Sequence, residues 1–221
     1  MRYFTNPETL FKLLGAMRGG IVTTLTIFFL TLLFSIPLGM VVALLRMNKR
    51  RIVSAPVSLY ILIMRGTPLM LQLFAVYFAV PMLTPYNFDR MTATIVAFAL
   101  NYAAYFAEIF RGGMESIPVG QHEACQVLGL SRAQAFFHVV LPQVVKRVLL
   151  PVSNEVITLV KDTSRANIIA VSELFRAAQN EASRAATVEP LFVAGVIYLI
   201  MNGVVTVAFS YFNRRLAYYK D

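Results

Sequence analysis

The feature that most limits what this chain can become is its uninterrupted apolar sequence. Between residues 21 and 45 not one side chain is charged, and a helix of ~20 apolar residues already crosses the hydrocarbon of a bilayer. Comparable runs follow at about residues 57–80, 91–110, 148–160 and 191–212, the fourth short enough to borrow from both flanks. In lipid every backbone polar group must find its partner inside the protein, so only helices and closed barrels span. The period-2 alternation of a barrel is missing, which leaves helices. Hydrophobic residues make up 58% of the chain and charged residues 14%, well away from an ordinary soluble domain. The expectation is an all-α integral membrane protein of about five transmembrane helices, forming a single domain over residues 1–221. The first run is too long for a signal-peptide core and lacks a small-residue cleavage site, so it belongs to the mature protein.

The formal charge of +9 could speak for nucleic acid or for membrane topology, and its distribution favours topology. A short turn between the first two runs carries Arg46, Lys49, Arg50 and Arg51. With five spans this turn, the segment 111–147 and the C-terminal tail share one side. Arg46, Lys49, Arg50, Arg51, Arg111, Arg132, Lys146, Arg147, Arg214, Arg215 and Lys220 then lie there, against Arg2, Lys12, Arg18, Arg90, Lys161, Arg165, Arg176 and Arg184 opposite. Glu173, Glu181 and Glu189 offset several of the second group. The modest excess sets the first side in the cytoplasm and the N-terminus outside. No nucleic-acid partner is expected. Arg214, Arg215 and Lys220 suit anchoring of the last span to anionic membrane lipid.

Within residues 1–20, the piece 7–17 alternates Leu10, Phe11, Leu13, Leu14 and Met17 with Glu8 and Lys12, a pattern that fits an N-terminal interfacial segment. The second run is broken at Arg65-Gly66-Thr67-Pro68, and the polar stretch 161–189 contains the apolar pair Leu174 and Phe175. That stretch reads equally as a docking surface or as a solvated helix over the outer mouth. The lone Cys125 excludes an internal disulfide, and with His122 and His138 the only histidines, a Cys/His metal site is disfavoured.

One segment, residues 116–142, interrupts the apolar pattern with helix signals of its own. Pro118 suits a first helical turn, Gly129 a helix end, and Ser131 with Gln134 a capping box that opens a second helix. Two short helices meeting at a bend make a knob, which must lie in water. Its spacing is Glu123-Ala124-Cys125, three residues, Gly129, nine residues, Val139, one residue, Leu141-Pro142. This resembles the cytoplasmic coupling loop of ABC-importer permeases, with Cys125 in place of a second alanine and Val139 in place of an isoleucine. Arg65-Gly-Thr-Pro-Leu-Met-Leu-Gln72, Ala104-Tyr-Phe-Ala-Glu-Ile-Phe-Arg-Gly-Gly113, Ile117-Pro-Val-Gly-Gln121 and Lys161-Asp-Thr-Ser164 are similar to segments of the polar amino-acid uptake subfamily. Arg165 departs from it, since an apolar residue usually follows Asp-Thr-Ser there.

The resemblance implies a type I importer permease fold with cytoplasmic coupling helices, in a bacterial cytoplasmic membrane. It implies docking of Gly120, Glu123, Ala124, Cys125, Leu128, Gly129 and Pro142 on an ABC ATPase subunit dimer, with Leu128 and Leu130 as apolar anchors. The same likeness implies a second permease subunit, identical or homologous, and an extracytoplasmic amino-acid-binding protein. ATP and Mg would be held by the ATPase, because this chain has no Gly-rich phosphate loop and no cofactor of its own is expected.

Ionisable residues inside a span cost ~2.5–3.5 kcal/mol on insertion scales and therefore need a partner or a purpose. Asn101, Tyr105 and Glu108 share one face of the third run; Glu155, Thr158 and Asp162 share one face of the fourth. Gln72 follows the Thr67-Pro68 break by about one turn. For function, Thr67, Gln72, Asn101, Glu155, Thr158 and Asp162 are the candidate substrate-binding residues, with Glu155 and Asp162 taking cationic groups and Arg65, Asn101 or freed backbone amides taking a carboxylate. The structural alternative is interhelical hydrogen bonding by Gln72 and Asn101, pairing of Glu108 with Arg111, and pairing of Asp162 with Lys161 or Arg165. The intramembrane acids also keep an ion-gradient-driven carrier or channel open as a rival, and the basic surface a lipid-binding scaffold.

Overall fold

The computed structural model describes residues 7–215. Residues 1–6 and 216–221, with Arg2 and Lys220 of the charge count, lie outside the described residues. Eight helices follow in order: α1 Pro7–Arg46, α2 Arg51–Gly66, α3 Leu69–Leu83, α4 Arg90–Glu115, α5 Val119–Val127, α6 Arg132–Ile169, α7 Leu174–Ala185 and α8 Glu189–Arg215. Four of them, α1, α4, α6 and α8, are each long and apolar enough to cross a membrane. Helices α2 and α3 qualify as a pair bent by 110° at the Thr67-Pro68 break, which makes the fifth span the broken one expected there.

Helix α1 corrects the reading of its N-terminal end. The interfacial piece and the first span are not separate, for α1 runs without a break over 40 residues, about 60 Å at 1.5 Å per residue. The apolar side of the early turns is occupied rather than lying free: Leu13 and Met17 are buried with Leu174, Ala178, Val193 and Ala194 in a small core at that end. Pro37 sits inside α1 without ending it.

The main core is built where α1 meets α4, the most extensive helix pairing in the fold. Small side chains on α4, among them Ala93, Ala97, Ala103, Ala104 and Ala107, are fully buried, and small residues are what let helix backbones approach in a membrane. Gly39 shows the tolerance: a Cβ there would stand 2.8 Å from Phe106 Cβ and 3.1 Å from the Ala103 carbonyl oxygen. Asp89 opens α4 by accepting from Met91 N (3.0 Å) and Thr92 N (3.3 Å). A bond from the Thr92 hydroxyl above all, with those from the two backbone amides, holds its carboxyl below the usual range.

Helix α6 is far longer than the fourth apolar run. Its cap at Ser131 lies in the knob and it ends before Ala170, whose φ of 63° cannot continue a helix. A π-helical stretch at Ala135–Val140 precedes Pro142, as another at Ala75–Ala79 precedes Pro81. A proline has no N–H for the carbonyl one turn back, and the wider turn absorbs that mismatch.

The stretch 161–189 is folded onto the rest. Glu173, with no solvent exposure, caps α7 by accepting from Phe175 N (2.7 Å) and Arg176 N (2.8 Å), and accepts from the Tyr198 hydroxyl of α8 (2.9 Å). Leu174 N donates to Thr24 Oγ1 of α1 (3.1 Å). Burial pushes the Glu173 carboxyl up while these donors pull it down. The sequence treated Glu173 as a charge to be counted; it is the peg that fixes α7 between α1 and α8.

Because α1 and α4 touch through glycine, Gly39→Leu should destabilise the protein by about 1–3 kcal/mol through overpacking. Gly203→Leu, which meets nothing within 4 Å, should leave stability unchanged. Thermal unfolding of the two purified variants in detergent checks this pair, and equal unfolding temperatures would contradict it.

Candidate functional site

The knob has the local structure its residues demand. Helix α5 starts behind Pro118 and stops in a glycine-terminated turn: Leu130 N donates to Cys125 O and Gly129 N to Gln126 O, both at 3.0 Å, with Gly129 at φ +69°. This double bond pattern satisfies carbonyls that a helix end leaves open. Ser131 Oγ then accepts from Gln134 N (3.3 Å) while Ser131 N donates to Gln134 Oε1 (2.9 Å), the expected capping box.

Cys125 is buried and faces Phe136 and Val140 of α6 across a small cavity, a packing role for this thiol. Gly120, Glu123 and Ala124 are exposed and Pro142 is half-buried. Leu128 is open to solvent, but Leu130, expected beside it as an anchor, is turned in to line the same small cavity. Its place on the surface is taken by Val127, 88% exposed. Sequence reading missed Val127. An apolar residue in the last turn of a water-facing helix was the available signal.

The broken span explains three candidate residues at once. In a straight helix the Met64 carbonyl would accept from the N–H of residue 68, and Pro68 has none. Asn101 Nδ2 fills that role at 2.9 Å and Gln72 Nε2 at 3.0 Å. Gln72 Nε2 also meets Thr67 O (3.2 Å) and Thr67 Oγ1 (2.9 Å), and Asn101 Nδ2 donates to Gln72 Oε1 (2.9 Å). Both amides are engaged within the elbow, as the interhelical alternative anticipated.

A cavity of about 550 Å³ opens between α2, α4 and α6, with Arg65, Tyr105, Glu108, Arg147 and Glu155 on its wall. Of the six candidate substrate residues only Glu155 lines it. Thr67, Gln72 and Asn101 form the elbow instead; Thr158 is half-buried outside the wall. Asp162, near the end of α6, accepts from the Tyr102 hydroxyl (3.0 Å) and is paired with Arg165 Nη1 (3.2 Å). Arg165, the departure from the subfamily pattern, thus serves as the partner of Asp162.

The cavity's charges are unequally matched. Arg111 holds Glu108 at 2.7 Å and Glu115 at 2.5 Å. Arg65 lies over the Tyr105 ring at 5.3 Å and 3.9 Å from Glu108. Glu155 has no hydrogen bond or ion pair among the described residues. Arg147, which sequence reading used only for topology, donates through Nη1 to the carbonyl of Ser116 and to Ser116 Oγ (2.9 Å). A carboxylate free of hydrogen bonds, within the field of Arg65, and guanidiniums with donors to spare in one cleft can hold a zwitterion.

Residues 35–218 match the family described as binding-protein-dependent transport system inner membrane component. The L-cystine transport system permease protein TcyB of Bacillus subtilis (strain 168) is 36% identical over 207 residues, covering 92% of this chain and 87% of that protein. The arginine transport system permease protein ArtQ of the same organism is 34% identical over 198 residues, with 89% and 90% covered. A chain from the crystal structure of an amino acid ABC transporter with histidines superposes at a TM-score of 0.85 and 31% identity, covering 94% of this chain and 97% of that one. The MetNI methionine ABC transporter in an inward-facing form shares the fold at a TM-score of 0.73 and 18% identity, covering 93% and 98%. The all-α architecture expected from the apolar runs, and the type I importer permease fold implied by the resemblance, are therefore the ones adopted, and this chain belongs to the inner membrane permease components of binding-protein-dependent amino-acid ABC importers.

Proposed function

We propose that this chain moves a polar amino acid into the cell by ATP-driven alternating access, as one of two permease subunits coupled to an ABC ATPase dimer. The observation that supports it is shared framework: the knob and the charged cavity are both carried by α4 and α6. A push on the knob is thus delivered to the cavity wall. Val127 and Leu128, exposed on a rigidly capped bend, are the apolar contacts an ATPase groove would cover, with Gly120, Glu123 and Ala124 open beside them. ATP and Mg belong to that partner. The knob faces the cytoplasm and the N-terminus the outside, where α7 lies under the site for an extracytoplasmic binding protein.

The cargo's ammonium goes to Glu155, and its carboxylate to the cavity arginines, Arg65 and Arg147. Thr67, Gln72 and Asn101 contribute by fixing the elbow that carries Arg65, and Asp162 by its bond to Tyr102. Thr158 keeps no direct part. An ion-gradient carrier would need none of the knob's exposed apolar surface.

Leu128→Asp combined with Val127→Asp should abolish co-purification with the ATPase, since burying two unpaired carboxylates replaces apolar anchors worth about 2 kcal/mol or more each. Gradient-driven uptake into liposomes by this chain alone would sink the ATPase-coupled reading. Glu155→Gln should lower uptake by about tenfold, a loss of ~1.4 kcal/mol, with the ATPase still bound. If uptake of every amino acid is unchanged, Glu155 has no part in cargo binding.

A further inference from the structure

Arg147 differs from the other arginines around the cavity in what it holds. Arg65 and Arg111 each lie near carboxylates, whereas the acceptors of Arg147 are neutral, the carbonyl and hydroxyl oxygens of Ser116. Among the described residues it pairs with no acid. Ser116 stands at the hinge between α4 and the knob, and its own hydroxyl donates to Gly113 O at 2.7 Å. Next to these, α4 and α6 pack tightly, and a Cβ on Gly113 would collide with Val148 Cγ1. One turn earlier on the same face of α6, Gln143 Nε2 donates to Gln121 Oε1 of α5 at 3.2 Å. The start of the knob is thus clamped to α6 by two side chains, and one of them is a cavity cation.

We propose that Arg147 senses cargo: a carboxylate entering the cavity draws its guanidinium off Ser116, and the start of the coupling loop is released. The physical basis is the ranking of acceptors. A bond from guanidinium to carboxylate is roughly twice as strong as one to a neutral oxygen and is often bidentate. Arg147 alone among the cavity cations gains by exchanging every acceptor it has. Helix α4 then loses one of the links that fix the angle of the knob, while the Gly113 contact and the Gln121–Gln143 bond keep the knob attached. Occupancy of the cavity is reported to the ATPase surface in this way, over one side chain. The role rests on the knob being the ATPase-docking element and on the cargo being an amino acid.

Two measurements test it. In the first, the purified chain alone in detergent is titrated with the twenty L-amino acids and followed by hydrogen exchange of the backbone around residues 116–121. At least one amino acid should speed exchange there in the wild type and none should do so in Arg147→Gln, whose exchange is already fast. No response in the wild type to any amino acid, or the same response in Arg147→Gln, overturns the proposal. In the second, the full importer is reconstituted with its ATPase and binding protein. Arg147→Gln should lower the stimulation of ATP hydrolysis by amino acid about fivefold or more, within the range of ordinary coupling between sites, and Arg147→Lys should restore most of it. Loss of ATPase co-purification in Arg147→Gln, unrescued by lysine, would reduce Arg147 to a structural strut and overturn the sensing role. If the wild-type chain binds no ATPase at all, the transport reading fails instead, and the exchange experiment still decides whether cargo moves Arg147.

Discussion

The structure depends on a carbonyl oxygen that Pro68 leaves without a donor. Inside a bilayer no water can take the place of the missing N–H, so a broken span survives only where protein groups satisfy the freed backbone. Asn101 and Gln72 supply that satisfaction, and each also bonds to the other. The 110° bend between α2 and α3 is therefore held from α4, across the helix interface. From this elbow Arg65 reaches Tyr105 and Glu108. The bend, the cavity cation Arg65 and the third span form one construction, and the polar residues that looked most like cargo ligands are what keep it standing.

Around that construction the packing obeys membrane rules. Lipid tails are as apolar as leucine, so helices adhere through close contact and hydrogen bonds rather than through expulsion of water. The alanine-rich face of α4 and Gly39 of α1 give the close contact, while Glu173 with Tyr198 and Thr24 with Leu174 give the hydrogen bonds. Helix α8 by contrast is mostly uncovered, with 11% of its most apolar window buried. It presents Leu199, Val204 and Val207 outward as a surface for lipid or for another subunit.

Much of this was legible in the residues. Span number followed from apolar run length, and the position of the break from Gly66-Thr67-Pro68. The knob's turn and cap followed from Gly129, Ser131 and Gln134, because local backbone chemistry alone dictates them. Pairing of Glu108 with Arg111 was also legible, being a contact within one helix. What was hidden depended on three-dimensional neighbours. Run length could not show that α1 continues through its amphipathic start, since Leu13 and Met17 find their cover on α7 and α8. Helical periodicity put Glu155, Thr158 and Asp162 on one face, but α6 carries that face past the cavity, where Tyr102 and Arg165 claim Asp162. Arg147 was invisible for the same reason: nothing near it in sequence announces Ser116.

The clasp on the N-terminal half of α1 bears on how the chain is made. Thr24 and its partner Leu174 are separated by 150 residues, and Leu13 and Met17 wait for side chains of α7 and α8. During synthesis α1 emerges well before α7 and α8, so its N-terminal turns wait for their neighbours. Long-range closure of this kind is slow compared with helix formation. The newborn chain therefore carries α1 with its N-terminal turns unmatched until α7 and α8 have been made, and Val193 and Ala194 of α8 complete the small core that covers Leu13 and Met17.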